Sequence, residues 1–338
     1  MTIHALASWP HYADHIAPIW QHIPPSLRGQ FVVGSKAQQA RMEKRGIETV
    51  LPRRAGRTAE ALLAKNPIIV AGYPDLRKVG KRPVCFVEHG AGQTYIGDNG
   101  KIHGGYSGGD GRSSVGLFIC PNWEVAERNH SEYPLSNVVA VGSPRLDDLL
   151  EMRNSCLKPF HPTLGISFHW ECRVARESGS AFREFSPVIP KFVSKLEAYG
   201  MEVLGHGHPK SFSDLEPWWR SHGVAVEKEW EVVAAKIDAY MIDNSSTIFE
   251  AAALDIPVLL MESAHWRKDV NHGLRFWDCA NVGPTVTPSS DLYEALSDCL
   301  DPAWGEIRRG VTSKVYAVPP SVERLSSRYA AEAIVDWL

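Results

Sequence analysis

Short apolar runs separated by amphipathic stretches recur along the whole chain. Candidate strands fall at Ile3–Ala7, Gln30–Val33, Ile68–Ala71, Val84–Val87, Leu117–Ile119 and Val138–Val141. A second set falls at Thr163–Phe168, Glu202–Gly205, Ala239–Ile242 and Val258–Met261. Over Tyr12–Ile23 the apolar residues Ile16, Ile19, Trp20 and Ile23 repeat at helical spacing, which predicts a helix. Strands that alternate with helices in this way predict parallel sheets covered on both faces. The fold class expected is therefore α/β.

The two sets of strands are separated by a polar stretch with two prolines, Arg153 to Pro162, which reads as a linker. The expected domains are residues 1–157 and residues 158–338, each of the size of one doubly wound Rossmann-like domain. A last helix is expected over Val322–Leu338, after Pro319-Pro320 and with Ser321 as N-cap. Gly97–Ser114 carries seven glycines in eighteen residues and reads as a lid or a surface loop.

Composition narrows the function classes without choosing one. The 338 residues are 44% hydrophobic and 22% charged, as in an ordinary globular chain. The formal charge of −3 argues against a nonspecific nucleic-acid binder. A local basic excess at Lys36, Arg41, Lys44, Arg45, Arg53, Arg54 and Arg57 is a solvated helix face or an attractor for an anionic acceptor, nucleic acid or membrane surface. The six cysteines form no C-x-x-C pair, which points to reduced thiols in a cytoplasmic setting. No secretory leader is expected from the opening residues, and no run of about 20 apolar residues offers a membrane span. Peripheral contact with a membrane stays open.

The chemistry concentrates at strand ends. Asp243-Asn244-Ser245-Ser246 stands between the Ala239 strand and the helix formers from Thr247. Such a turn either caps the helix or presents amides and hydroxyls to a phosphate. Open parallel sheets bind ligands beyond the carboxyl ends of their strands, which favours the phosphate reading. Glu88-His89-Gly90, Gly142-Ser143-Pro144-Arg145-Leu146-Asp147 and Gly205-His206-Gly207-His208-Pro209-Lys210 occupy comparable places.

These pieces, in this order, resemble the CDP-glycerol glycerophosphotransferase group of wall teichoic acid enzymes. His89-Gly90, Gly142-Ser143-Pro144-Arg145-Leu146-Asp147, His208-Pro209, Asp243-Asn244-Ser245-Ser246 with Phe249-Glu250, and Leu254-Asp255-Ile256-Pro257 match that group's motifs between about Val84 and Met261. The chain departs from the group at Glu88, where a Trp is usual, at Ala91-Gly92-Gln93-Thr94, and at His169-Trp170-Glu171-Cys172-Arg173. The resemblance implies a GT-B architecture, two Rossmann-like domains facing a cleft. It is also similar, more distantly, to nucleotide-sugar glycosyltransferases and UDP-N-acetylglucosamine 2-epimerases.

A transferase of this kind needs a base for the acceptor hydroxyl and stabilisation of a leaving phosphate. His89 is the candidate base, with Gly90 letting the backbone approach substrate. His208 either donates to the leaving phosphate or stacks in the turn made by Pro209. Ser245, Ser246 and Thr247 would hold one phosphate of a donor lying between the halves, with Arg173 and Lys210 supplying positive charge. Arg145 faces the cleft or pairs with Asp147 or Asp148. Asp243 is a helix cap first and a substrate contact second. Glu250 is assigned to the ribose hydroxyls by the resemblance. His265, His272 and Arg275 either line the cleft or belong to a solvated loop. Trp218-Trp219 is core packing or an aromatic platform. No Asp-x-Asp motif occurs, so a metal-independent site without a cofactor is expected. The donor is expected to be CDP-glycerol or a nucleotide sugar, and the acceptor a polymeric or lipid-linked hydroxyl. An epimerase, a glycosyltransferase acting on nucleic acid and a non-catalytic nucleotide-binding module are the alternatives.

Overall fold

The computed structural model describes residues 1–54, 57–89, 91, 112–171, 179–263, 279–318, 321, 323 and 325–338. Among these the chain forms two compact units. Unit 1 takes residues 1–148 and 316–338, and unit 2 takes residues 149–263 and 279–315.

Unit 1 opens with β1 (Ile3–Ala7), α1 (Pro10–His22), β2 (Arg28–Val33) and α2 (Lys36–Lys44). A two-stranded antiparallel hairpin, β3 (Arg53–Arg54) and β4 (Arg57–Thr58), follows. Then come α3 (Glu60–Leu63), β5 (Ile68–Val70), α4 (Tyr73–Leu76) and β6 (Val84–Val87). The main run ends with β7 (Val115–Cys120), α5 (Trp123–Glu132), β8 (Asn137–Ala140) and α6 (Pro144–Ser155), which spans the boundary between the units. The six long strands form one parallel sheet in the order β2-β1-β5-β6-β7-β8. Alternate side chains serve its two faces. Ala5, Val33, Ile69, Cys85 and Leu117 pack on one face with Ala13, Ile16 and Trp20 of α1. Leu6, Val32, Val70, Phe86 and Phe118 pack on the other with Leu76 and Val125.

Unit 2 repeats the plan with β9 (Thr163–Phe168), α7 (Phe182–Phe185), α8 (Ile189–Ala198), β10 (Glu202–Gly207) and α9 (Phe212–Ser221). β11 (Ala225–Val226), α10 (Trp230–Lys236), β12 (Ala239–Ile242), α11 (Thr247–Ala253) and β13 (Val258–Met261) continue it. β14 (Thr285–Val286), α12 (Leu292–Cys299) and α13 (Ala303–Val315) complete it. This sheet is also parallel, in the order β11-β10-β9-β12-β13-β14. Both sheets are Rossmann-like, and all ten apolar runs of the sequence fall on their strands.

The last helix, α14 (Ser326–Trp337), belongs to unit 1. Its Ala330, Ala331 and Ile334 pack with α1 residues on the unit 1 sheet, whereas the sequence reading grouped 158–338 together. It also starts later than expected: Leu325 is its N-cap and offers no capping side chain of its own. The backbone N–H of Ser327 is instead taken by the Asp147 carboxylate at 2.7 Å.

Trp218-Trp219 resolves as packing. Trp219 is fully buried and stacks on Phe168, with 5.8 Å between ring centroids. Trp218 meets Phe182 edge-on at 5.0 Å. Gly205 makes this possible, because a Cβ there would lie 2.6 Å from the Trp219 ring. Gly205→Ala is expected to destabilise unit 2 by about 1–3 kcal/mol through overpacking, read as a lower denaturant midpoint at unchanged slope.

The basic excess of the first domain is partly structural. Arg41 pairs with Asp14 at 2.9 Å, and Arg45 pairs with Asp148. Asp147 accepts from the Ser327 amide, and Asp148 pairs with Arg45. No helix among the described residues is long and apolar enough to cross a membrane.

Candidate functional sites

In unit 2 the carboxyl ends of β9, β10 and β12 gather the relevant groups. Asp243, the first residue after β12, is buried. The His169 N–H, just after β9, donates to both of its carboxylate oxygens at 2.8 and 2.9 Å. The Ala181 N–H donates to it at 2.9 Å. Burial pushes the Asp243 carboxyl up to about 7, against the pull of backbone donors from Ala181, His169 and Asn244 and of the Ser180 hydroxyl. Asp243 therefore neither caps α11 nor reaches outward; it ties the end of β12 to the segments after β9. Asn244 does related work, donating to the Gly179 carbonyl at 2.9 Å.

The serines that follow are half-buried. Ser245 Oγ accepts from the Thr247 hydroxyl at 3.1 Å and lies 3.4 Å from the Thr247 N–H. Ser246 is the N-cap residue of α11, yet its side chain makes no capping bond. The capping reading of this turn thus holds for the Ser245 hydroxyl and not for Ser246.

His208 follows β10, its own N–H bonded to the Phe168 carbonyl at 2.9 Å. The Lys210 N–H donates to His208 Nδ1 at 3.1 Å. A ring that accepts at Nδ1 carries its proton at Nε2 when neutral, so His208 offers a donor there. Its ring meets His169 edge-on at 4.9 Å and lies 5.9 Å from Trp170. Lys210 Nζ sits 3.7 Å above the Trp170 ring, a cation–π contact. His206 points elsewhere: it is buried, with Nδ1 2.8 Å from the Glu227 carbonyl. Glu250 is buried too, and its Oε2 accepts from the Trp230 indole N–H at 2.5 Å.

In unit 1 His89 stands at the carboxyl end of β6. Its ring lies 5.5 Å from Tyr12, 5.8 Å from His15 and 6.1 Å from His11, all on the first turns of α1. Burial lowers its pKa. The positive charges of Arg112 and Arg145 lower it further, while the Glu88 carboxylate and the Ala71 carbonyl oppose them. The imidazole is therefore held neutral at physiological pH, as a base requires. His15 is buried and held neutral still more firmly, by burial and then by Arg145, His89 and His11. Among the described residues, neither His89 Nδ1 nor His15 Nδ1 has a hydrogen-bond partner.

Glu88, next to His89 in sequence, is buried. Its Oε1 accepts from Arg112 at 2.6 Å and from Asn129 at 3.0 Å, with Arg128 at 4.0 Å. Burial raises its pKa, but the two arginines and these bonds outweigh it and keep the carboxylate ionised. Arg112 also lies over the Phe86 ring at 4.4 Å.

Sequence reasoning missed His11, His15, Trp170 and the Arg112–Glu88–Asn129 cluster. The two α1 histidines carried a signal, since an i, i+4 pair on a helix that follows a strand shares one face. Gly90, Arg173, His265, His272 and Arg275 lie outside the described residues, as does the glycine-rich segment up to residue 111. Among the described residues no group of three or more His, Cys, Asp or Glu side chains is placed to hold a metal ion.

Two Rossmann-like units of parallel strands are the GT-B fold, and comparison with solved structures shows it. A wall teichoic acid polymerase, TagF, in a structure soaked with CDPG, superposes with a TM-score of 0.68 at 12% identity, covering 99% of this chain and 88% of that one. A UDP-N-acetylglucosamine 2-epimerase gives 0.61 at 12% identity, covering 99% and 95%. MnaA of S. aureus with UDP gives 0.58 at 13% identity, again covering 99% and 95%. No protein-family profile matches the chain. No curated protein matches it by sequence.

Proposed function

We propose that this chain is a GT-B enzyme acting on a nucleotide-activated donor, and specifically a transferase that moves glycerol phosphate or a sugar to a hydroxyl of a polymeric or lipid-linked acceptor. The observation that carries the reading is the group assembled at the carboxyl ends of β9, β10 and β12. There an imidazole with a donor at Nε2, a lysine and two half-buried serines stand where open parallel sheets take their ligands.

Ser245, Ser246 and Thr247 are assigned to a donor phosphate, with Lys210 and Arg173 as its counter-charges. Glu250, through the carboxylate that also holds Trp230, is assigned to the ribose. His208 donates from Nε2 to the leaving phosphate. His89 removes the acceptor proton, with Gly90 beside it, and burial first, then the Arg112 and Arg145 charges, keep the imidazole neutral. If glycerol phosphate is transferred, the acceptor oxygen bonds to phosphorus as the bond from that phosphorus to the departing CMP breaks. If a sugar is transferred, the oxygen bonds to the anomeric carbon and a nucleoside diphosphate departs. In both cases the acceptor proton passes to His89. Asp243 is withdrawn from the substrate contacts, since its carboxylate serves His169 and Ala181. Catalysis takes place in the cytoplasm, where the nucleotide donors are found, with the acceptor presented at a membrane or on a polymer.

A thermal-shift screen of CDP-glycerol, CMP, UDP and UDP-sugars tests the donor site. A ligand present at about 100 times its Kd stabilises the fold by about 2.7 kcal/mol. We expect such a rise for one donor class, and its loss in the Ser245→Ala, Ser246→Ala double variant. Silence from every nucleotide would remove the reading. Turnover of a UDP-sugar without any acceptor would reassign the site to an isomerase.

A further inference from the structure

β8 ends the unit 1 sheet, and β7 is its one ladder partner among the described strands. Just beyond it the Val141 N–H donates to the Cys120 carbonyl of β7 at 2.9 Å. In a parallel pair alternate residues turn their main-chain groups to the same neighbour. Val139 therefore shares the inward parity of Val141, and the N–H and C=O of Val138 and Ala140 point away from the sheet.

A cleft of about 640 Å³ lies at this edge. Every residue from Asn137 to Val141 borders it. Side chains alternate between the faces of a strand. Accordingly Val139 packs with the α1 and α14 layer, and Val138 and Ala140 pack with the α5 layer. The cleft meets these residues in succession and reaches Leu117 of β7 on the α14 face, so it runs along β8 beside α14.

The opposite wall is α14, which contributes Tyr329, Glu332, Asp336 and Trp337. Gly116 of β7 seats the Trp337 ring, which a Cβ there would meet at 2.8 Å. Glu332 and Asp336 are exposed and are the charged residues that border the cleft among the described residues. Arg328 bonds Glu332 at 3.0 Å, but as an exposed i, i+4 pair it holds the carboxylate weakly.

We propose that this cleft receives an extended segment of a partner protein, which joins the sheet as a strand beside β8. Its apolar side chains settle against Tyr329 and Trp337, and its lysine or arginine side chains meet Glu332 and Asp336. Main-chain bonds to Val138 and Ala140 supply affinity, and the acidic wall selects a cationic sequence. The inference is independent of the donor reading, since every group in it lies in unit 1 and apart from His89.

The test is fluorescence anisotropy of the full chain with a short labelled peptide of alternating lysine and valine, beside its glutamate–valine counterpart. We expect saturable binding of the cationic peptide only. Ala140→Pro removes one outward donor from an edge strand, where proline is tolerated, and is expected to weaken binding about tenfold. Should Ala140→Pro fail to fold, the Glu332→Lys, Asp336→Lys double variant decides, because it changes only exposed side chains. It is expected to release the cationic peptide and take up the acidic one. Equal binding of both peptides, no saturable binding, or indifference to the charge reversal overturns the proposal. So does a concentration-dependent dimer abolished by Ala140→Pro, which would assign the edge to a second copy of this chain.

Discussion

His89→Ala and His89→Gln are expected to lower kcat for transfer by about 10²–10⁴-fold while the donor still raises the melting temperature. The separation follows from where the groups lie: His89 is in unit 1, and the groups assigned to the donor phosphates are in unit 2. The pH profile gives the sharper check. A base must be unprotonated to act, so activity falls as pH drops through its pKa. Burial, Arg112 and Arg145 hold the His89 pKa below its usual value, so the acid limb of kcat/KM is expected below pH 6.5. Arg145→Gln removes one of the depressing charges and is expected to move that limb upward. A limb that stays in place in Arg145→Gln, or turnover unchanged in both His89 variants, would show that His89 is not the base.

The strands were legible because buried parallel strands are near-continuous apolar runs. β3, β4, β11 and β14 were not, since two residues cannot display a period. The helix over Ser326–Trp337 was legible as a helix, but its allegiance was not: an apolar stripe of Ala330, Ala331 and Ile334 suits either sheet, and only packing on α1 decides. The site divides in the same way. His89 and His208 could be placed at strand ends because the strands could be found. The role of Asp243 could not, because a carboxylate in a turn before a helix looks like a cap. Its actual partners, the amides of His169 and Ala181, are 74 and 62 residues away in sequence. His15 was hidden for a related reason: only the fold brings α1 against the end of β6.

Asp243→Ala is expected to be the most damaging substitution outside the cores. It leaves the His169 and Ala181 amides without their acceptor in a buried place, at about 1–3 kcal/mol each, so a loss of about 2–6 kcal/mol is expected in denaturant unfolding. Asp243→Asn keeps one carbonyl acceptor and is expected to fall between. These amides belong to the segments that carry His169 and approach Lys210 through Trp170, so both variants are also expected to lose the thermal shift by nucleotide. The pH dependence has a definite sign. The folded pKa of about 7 lies above the ordinary carboxylate value of 3.8, so the native state binds the extra proton. The Asp243 contribution to stability is full below pH 3.8 and is lost as pH rises through about 7. Plotted against pH, the difference in unfolding free energy between wild type and Asp243→Asn is expected to shrink across that window. A difference that grows instead would mean that the backbone donors, rather than burial, set the charge of this carboxylate.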